Sequence, residues 1–212
     1  MKIQNMPVVL MVAAWHITLC AHQSAEASTA SGGDDYRVSQ SEDDAEESAD
    51  GEVDLTNDDL DLGQRSGFES AATIGIRFDN IRIARREKIR KATVLFTMEG
   101  NRVKSEPSVL TIRGQLTPNA EPFKEEHRNI SRRPLTKASV SWSPKPWDPE
   151  QAQDERPQSP DLSLVIQEIV DQEGWMPGNA LVLIIQGTGE RDALSFDGGG
   201  KAGSPALHVE TE

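Results

Sequence analysis

The fold is decided by the stretch 174–199, "GWMPGNALVLIIQGTGERDALSFDGG". Its centre, 181–187, is almost entirely apolar, which indicates a strand that is buried on both faces or deep in a sandwich. A Pro-Gly turn precedes this strand and the tight connection "GTGER" (187–191) follows it. We expect the run that continues to Phe196 to be the antiparallel neighbour of the apolar strand.

Other short runs on both sides of this stretch have the composition or the period of β-strands. In "TIGIRFDNIRI" (73–83), Ile74, Ile76 and Phe78 fall on one face, which is the period of two that a half-buried strand requires. The remaining runs are "EVDLTNDDLDLG" (52–63), "KATVLFTME" (91–99), "SVLTIRGQL" (108–116), "ASVSW" (138–142), "DALSFD" (192–197) and "PALHVET" (205–211). The sequence therefore predicts about eight strands.

One helix interrupts the strands, at "SPDLSLVIQEIVDQEGW" (159–175). Ser159 or Asp161 lies near its N-cap, and Gly174 is the expected stop. An apolar stripe runs along it at spacings of three and four: Leu162, Val165, Ile166, Ile169 and Val170. The prediction for 52–212 is thus a mainly β domain, an antiparallel β-sandwich of jelly-roll type with one short helix.

The N-terminus has the pattern of a secretory signal peptide over 1–27. Lys2 supplies a positive charge, "MPVVLMVAAWHITLC" (6–20) an apolar core, and Ala25-Glu26-Ala27 a cleavage site. Cleavage at Cys20 or Ala21 and a lipid anchor on Cys20 are alternatives. The core is shorter than the ~20 residues that span a bilayer, so we expect a secreted, extracellular protein with no transmembrane segment.

Cys20 is the only cysteine and lies inside this signal. The mature chain would then have no disulfide, no thiolate metal site and no cysteine nucleophile. Its fold would depend on its own core, on an ion, or on both.

The net charge of −13 is concentrated in one segment. Residues 34–61 hold 13 Asp and Glu against Arg37, whereas 62–212 hold 20 Lys and Arg against 21 Asp and Glu. Because 28–51 shows no apolar periodicity, we expect it to be disordered. Its acidic residues, as carboxylates, would bind Ca²⁺, a mineral or a cationic surface, or only increase solubility. The residues concerned are Glu42, Asp43, Asp44, Glu46, Glu47 and Asp50. A nucleic acid partner is disfavoured, because phosphates would repel this charge.

Several motifs together resemble a known family. "KATVLF" (91–96), "TKASVSW" (136–142), the helix with its glycine turn and "PALHVE" (205–210) occur in the order found in carbohydrate-binding-module-like jelly rolls of the DNRLRE type. The resemblance covers about 53–210. It implies an accessory β-sandwich of a secreted protein with no catalytic activity of its own.

No catalytic constellation stands out in the sequence. None of the four histidines belongs to an H-E-x-x-H or H-x-H pattern, and G-x-S-x-G does not occur. We therefore expect no enzyme. The candidate for sugar stacking is Trp147, in the proline-rich "SPKPWDPE" (143–150), because an exposed indole face binds sugar rings. Trp142 and Trp175 follow core elements and are expected to pack inside.

Three acidic residues beside strand ends could hold one structural Ca²⁺: Glu69, Asp79 and Asp197. Asn129 begins the glycosylation sequon "NIS". The function we expect is a non-enzymatic, secreted extracellular matrix or structural protein whose acidic segment binds Ca²⁺, mineral or cationic surfaces. The alternative is a carbohydrate-binding module whose partner is a polysaccharide.

Overall fold

A computed structural model describes residues 33–64, 71–100, 103, 105–148 and 156–212, and within them the fold is mainly β. The strands are β1 (Asp34–Arg37), β2 (Asp44–Glu47), β3 (Val53–Asp54), β4 (Asp59–Gly63), β5 (Thr73–Phe78), β6 (Ile89–Leu95), β7 (Val109–Gln115), β8 (Leu135–Trp142), β9 (Leu181–Thr188), β10 (Glu190–Leu194) and β11 (Ala206–Thr211). The helices are α1 (Ser163–Val170), α2 (Phe196–Gly203) and a 3₁₀ turn (Ser41–Asp43).

The strands form antiparallel sheets, as the sequence predicts. The largest has six strands in the order β3-β2-β5-β9-β7-β8. A second has the order β1-β11-β6, and β10 pairs with β4 alone. This arrangement confirms the prediction of a mainly β, sandwich-like fold. The described residues give eleven strands rather than eight, because β1, β2 and the separation of β3 from β4 were not expected.

The apolar strand β9 lies in the interior of the six-stranded sheet, between β5 and β7. Leu181, Leu183 and Ile185 point into the main core between the sheets. Val182 and Ile184 point the other way, into a second apolar cluster with Phe123 and Ile130 of the loop before β8. Both faces of β9 are therefore covered, which explains its uninterrupted apolar sequence.

The expected pairing of β9 with the strand that follows it is wrong. Between them Gly189 adopts a positive φ of 81°, and a Cβ built there would lie 2.4 Å from the carbonyl oxygen of Pro107. The chain turns sharply at this glycine and leaves the sheet. β10 then pairs with β4, so that Asp192 lies opposite Asp61.

The helix α1 lies within the predicted range 159–175 but is shorter than expected, because its N-cap is Leu162 and it ends at Val170, before Gly174. The helix and the residues just before it cover two open sheet edges. The Glu168 carboxylate accepts hydrogen bonds from the amides of Lys137 (2.9 Å) and Ala138 (2.8 Å) on the outer edge of β8. Just before the helix, Asp161 accepts from Ala92 of β6 at 2.9 Å. An open strand edge exposes unpaired backbone amides, which can pair with another chain. These contacts give several of the edge amides an acceptor within the molecule.

A second helix, α2, was not predicted, because its sequence "FDGGGKAG" is rich in glycine and a poor helix former. The hydroxyl of Ser195 caps it by accepting from the amide of Gly198 at 3.1 Å. Gly200, with φ 55°, interrupts the helical geometry in its middle.

No helix in the described parts of the chain is long and apolar enough to cross a membrane.

The prediction that the acidic segment 28–51 is disordered is wrong from Gly33 onward. β1 pairs with β11, and β2 enters the six-stranded sheet between β3 and β5. The folded domain thus begins before residue 52. Residues 28–32, like the signal peptide predicted at 1–27, lie outside the described residues. The prediction from composition failed because the fold supplies internal hydrogen-bond donors to these carboxylates. These donors lower the free-energy cost of burying the charged groups.

Candidate functional site

Four of the six carboxylates predicted to form a flexible polyanion are buried inside the domain. Asp43, Asp44, Glu46 and Glu47 are each at most 5% exposed. Only Glu42 and Asp50 remain at the surface. The acidic segment therefore cannot act as a loose tail, and its inner carboxylates have structural partners that can be named one by one.

Glu47 and Glu46 connect β2 to two neighbouring loops and to β4. Glu47 Oε2 accepts hydrogen bonds from the amides of Ile130 (2.8 Å) and Ser131 (2.9 Å). Glu46 Oε2 accepts from the side-chain amide of Asn57 at 3.0 Å, and its Oε1 accepts from the backbone amide of Asp61. Charge-assisted bonds of this kind are stronger than neutral ones, so these two side chains fix the position of β2.

Asp43 forms a buried ion pair with Arg77 of β5. Arg77 is held in turn by a 2.9 Å hydrogen bond from its Nε to the carbonyl of Ala120. Burial raises the pKa of the Asp43 carboxyl, while the hydrogen bond and charge of Arg77 lower it in part. The nearby charge of Asp79 raises the pKa further.

Asp44 has the most perturbed carboxyl in the segment. Burial, followed by the charges of Asp197 and Asp43, raises its pKa from the usual 3.8 to about 7. The amide of Phe196, at the start of α2, donates to Asp44 Oδ2 at 2.8 Å and opposes this rise. Asp44 therefore joins β2 to α2 through a group that titrates near neutral pH.

An open cleft of about 740 Å³ lies beside the β2–β3 hairpin, and carboxylates of 46–54 and of Glu125 line it. We call it the acidic cleft and define it by five carboxylates in its lining: Glu46, Asp50, Glu52, Asp54 and Glu125. None of the described residues that line it is basic. A hydrogen bond from Ser48 lowers the pKa of Asp50, which keeps that carboxylate ionised. The cleft thus presents several negative charges to solvent.

A second group of carboxylates lies where β4 faces β10. The ligand oxygens of Asp59, Asp61 and Asp192 all lie within 4.8 Å of one another. Asp61 and Asp192 are buried and Asp59 is half-buried. Oxygen atoms from carboxylates are the ligands that Ca²⁺ prefers. Glu46, in the wall of the acidic cleft, also binds the amide of Asp61, so the two carboxylate groups are adjacent.

Sequence reasoning missed this cluster because Asp192 is remote in sequence from Asp59 and Asp61. Only the unexpected pairing of β10 with β4 brings the three together. A partial signal was present, since Asp59 and Asp61 are spaced by two and so share one face of a strand.

The residues predicted to hold a structural ion are not part of this cluster. Asp79 and Asp197 are both exposed. Asp79 lies near Asp43, whereas Asp197 lies near Asp44 and accepts a 3.0 Å hydrogen bond from the hydroxyl of Ser41. Glu69 lies outside the described residues.

Trp147 does not offer the exposed face that was predicted. It is 5% exposed, and its ring centre lies 6.3 Å from that of Phe96 and 6.4 Å from that of Trp142. The three rings form an aromatic cluster in the main core. The prediction failed because a proline-rich loop folds inward here. Trp142 and Trp175 are buried, as expected, and Trp175 Nε1 donates to the carbonyl of Ile83 at 3.0 Å.

Asn129 is half-buried at a turn, and its glycosylation stays a prediction. Its Oδ1 accepts hydrogen bonds from the amide of Lys124 and from Nη2 of Arg133, both at 3.1 Å. The following residues, Ile130 and Ser131, are the ones that bind Glu47. The sequon therefore belongs to a loop that is fixed to β2.

Comparison with known proteins gives no family for this chain. No protein-family model matches it, and no curated protein matches it either. The resemblance to DNRLRE-type modules consequently remains an expectation from the sequence.

Proposed function

We propose that the protein is a non-enzymatic, secreted structural protein of an extracellular matrix, and that its acidic cleft binds Ca²⁺, a mineral surface or another cationic partner. The observation that carries this proposal is the acidic cleft, where Asp50, Glu52, Asp54 and Glu125 surround an open volume of about 740 Å³. The signal-like sequence at 1–27 supports an extracellular location.

The chemistry of the cleft fits a hard divalent cation. Ca²⁺ takes roughly six to eight oxygen ligands in flexible geometry, and the cleft supplies carboxylates from the β2–β3 hairpin and from a separate loop. Adjacent to it, the cluster of Asp59, Asp61 and Asp192 offers a more enclosed set of oxygens. We therefore expect weak sites in the cleft and a tighter site between β4 and β10.

Calorimetric titration of the full chain with Ca²⁺ tests this function. In the triple variant Asp50→Asn, Glu52→Gln, Asp54→Asn, each amide keeps an acceptor oxygen but loses the charge. We expect this variant to lose the weak binding, which should have a dissociation constant of about 10⁻⁴ to 10⁻³ M. Asp61→Asn should leave the weak sites in place and remove any tighter one.

The matched control removes three exposed charges elsewhere: Glu106→Gln, Glu121→Gln, Glu173→Gln. It changes the net charge by the same amount and should bind Ca²⁺ as the wild type does. If the cleft variant and the control lose binding equally, general charge explains the effect. If the wild type binds no Ca²⁺, the proposed function is wrong for this cation.

A polysaccharide is the second candidate partner, and one observation favours it. Trp142 and Trp147, although largely buried, are among the residues that line a groove of about 510 Å³, together with Lys145, Arg156 and Gln158. Because Trp147 is a core residue, its truncation would not be a clean test. A polysaccharide pull-down with Lys145→Ala separates a sugar contact from a general charge effect. Lys137→Ala, at an exposed position outside the groove, is the control.

A further inference from the structure

The segment 82–91, "RIARREKIRK", is rich in basic residues, and we call it the basic segment. Six of its ten residues are Arg or Lys, against one Glu. All six basic side chains are exposed. A run of this density is a known signal for an interaction with an anionic partner.

Part of this charge is already paired within the molecule. Arg82 binds Asp34, Lys88 binds Glu212, and Arg90 binds Glu210. Arg85 and Arg86, at the tip of the segment, make no ion pair within the described part of the chain. In the acidic cleft, Glu52 and Glu125 are likewise exposed and have no cationic partner among the described residues.

The basic segment and the acidic cleft lie beyond opposite ends of β5. Ala71 and Ala72, just before this strand, line the cleft, and the basic segment begins shortly after its last residue, Phe78. The amide of Arg86 binds the carbonyl of Val170 at 3.3 Å, which holds the segment at the end of α1. Six strand residues at ~3.3 Å each separate the two surfaces by about 20 Å.

This separation prevents the two surfaces from neutralising each other within one molecule. The Debye length is about 8 Å at physiological ionic strength, so charges about 20 Å apart are largely screened from one another. Two molecules placed end to end can instead bring opposite charges into contact, because the surfaces are complementary in sign.

We infer that the cationic partner of the acidic cleft is the basic segment of a second copy of this chain. This inference rests on the proposed function, because it names the occupant of the same cleft. The two surfaces differ, so the contact is heterologous and repeats into open chains instead of closing into a symmetric pair. Such end-to-end association suits a matrix protein. It is weak and depends on salt, because both surfaces are exposed to solvent.

Sedimentation of the full chain over a concentration series, at about 20 mM and about 150 mM salt and without Ca²⁺, tests the inference. We expect the wild type to self-associate at the lower salt and to weaken about tenfold at the higher. Arg85→Glu, Arg86→Glu and, separately, Glu52→Lys, Glu125→Lys should each weaken association at least tenfold. An equimolar mixture of these two variants should restore it, because each again meets a surface of opposite charge.

The control Arg113→Glu, Lys137→Glu makes the same change of charge as Arg85→Glu, Arg86→Glu, at exposed positions of β7 and β8, and should associate as the wild type does. A wild type that stays monomeric at low salt overturns the inference. So do charge-reversed variants that associate as strongly as the wild type, or a mixture that restores nothing. Ca²⁺ calorimetry distinguishes failure of the self-association from failure of the proposed function. If the cleft binds Ca²⁺ while the chain stays monomeric, the self-association fails and the proposed function stands.

Discussion

Asp44→Asn should make the protein more stable at neutral pH, and the gain should grow with pH. The Asp44 carboxyl is 2% exposed, and its pKa is raised from 3.8 to about 7, first by burial and then by the charges of Asp197 and Asp43. The folded chain therefore holds this proton more tightly than the unfolded chain. The stability that comes from the protonated form is present below about pH 4 and is lost as the pH rises to about 7.

The size of the effect follows from the shift. A difference of about three pKa units, at ~1.4 kcal/mol each, gives about 4 kcal/mol between pH 4 and pH 8. Asparagine carries no charge at any pH, and its oxygen can still accept the hydrogen bond from Phe196. The stability of Asp44→Asn relative to wild type should thus rise by up to about 4 kcal/mol over this range.

Urea unfolding at several pH values, followed by tryptophan fluorescence, measures this difference. Asp58→Asn, at an exposed position, is the matched control, and the pH dependence of its stability should follow the wild type. A stability difference between Asp44→Asn and wild type that stays flat, or that falls as the pH rises, would refute the reasoning about the buried carboxyl.

Substitutions at three further positions test the structural roles assigned to side chains. Trp147→Ala should lower the free energy of unfolding by about 3 to 5 kcal/mol, because it empties part of the aromatic cluster. A variant as stable as the wild type in urea would place Trp147 at the surface after all. Glu168→Ala should lower the free energy of unfolding by about 1 to 3 kcal/mol, because the edge amides of Lys137 and Ala138 lose their acceptor. Glu168→Gln should lower it less. Equal thermal midpoints for these two variants would contradict this role. Glu47→Ala should increase proteolysis of the loop at Ile130 and Ser131, and an unchanged cleavage pattern would show that the loop is held by other contacts.

The sequence predicted the parts of the fold that depend on local patterns. β9 was recognisable because its residues are apolar on both faces, and α1 because its buried residues recur at helical spacing. Each of these two signals depends on residues that are only a few positions apart in the sequence. The sandwich-like class followed from the number of such short strands.

The parts that failed depend on partners remote in sequence. Nothing near "EDDAEE" (42–47) indicates that Arg77, Ile130 or Phe196 will supply donors to its carboxylates, so the segment reads as a solvated tail. The same limit concealed the meeting of Asp61 and Asp192 across β4 and β10. Long-range pairing, and not local propensity, decides both cases.

The central claim is that the acidic segment, from Gly33 onward, is part of the folded domain. Hydrogen exchange of the full chain, followed by mass spectrometry, tests it most directly. We expect the amides of β2 to exchange as slowly as those of β5 and β9, with which they form one sheet. Complete exchange of the amides of residues 44–47 at the earliest time points, with those of β5 and β9 still protected, would contradict the claim. It would show that the segment is disordered, as the sequence predicts.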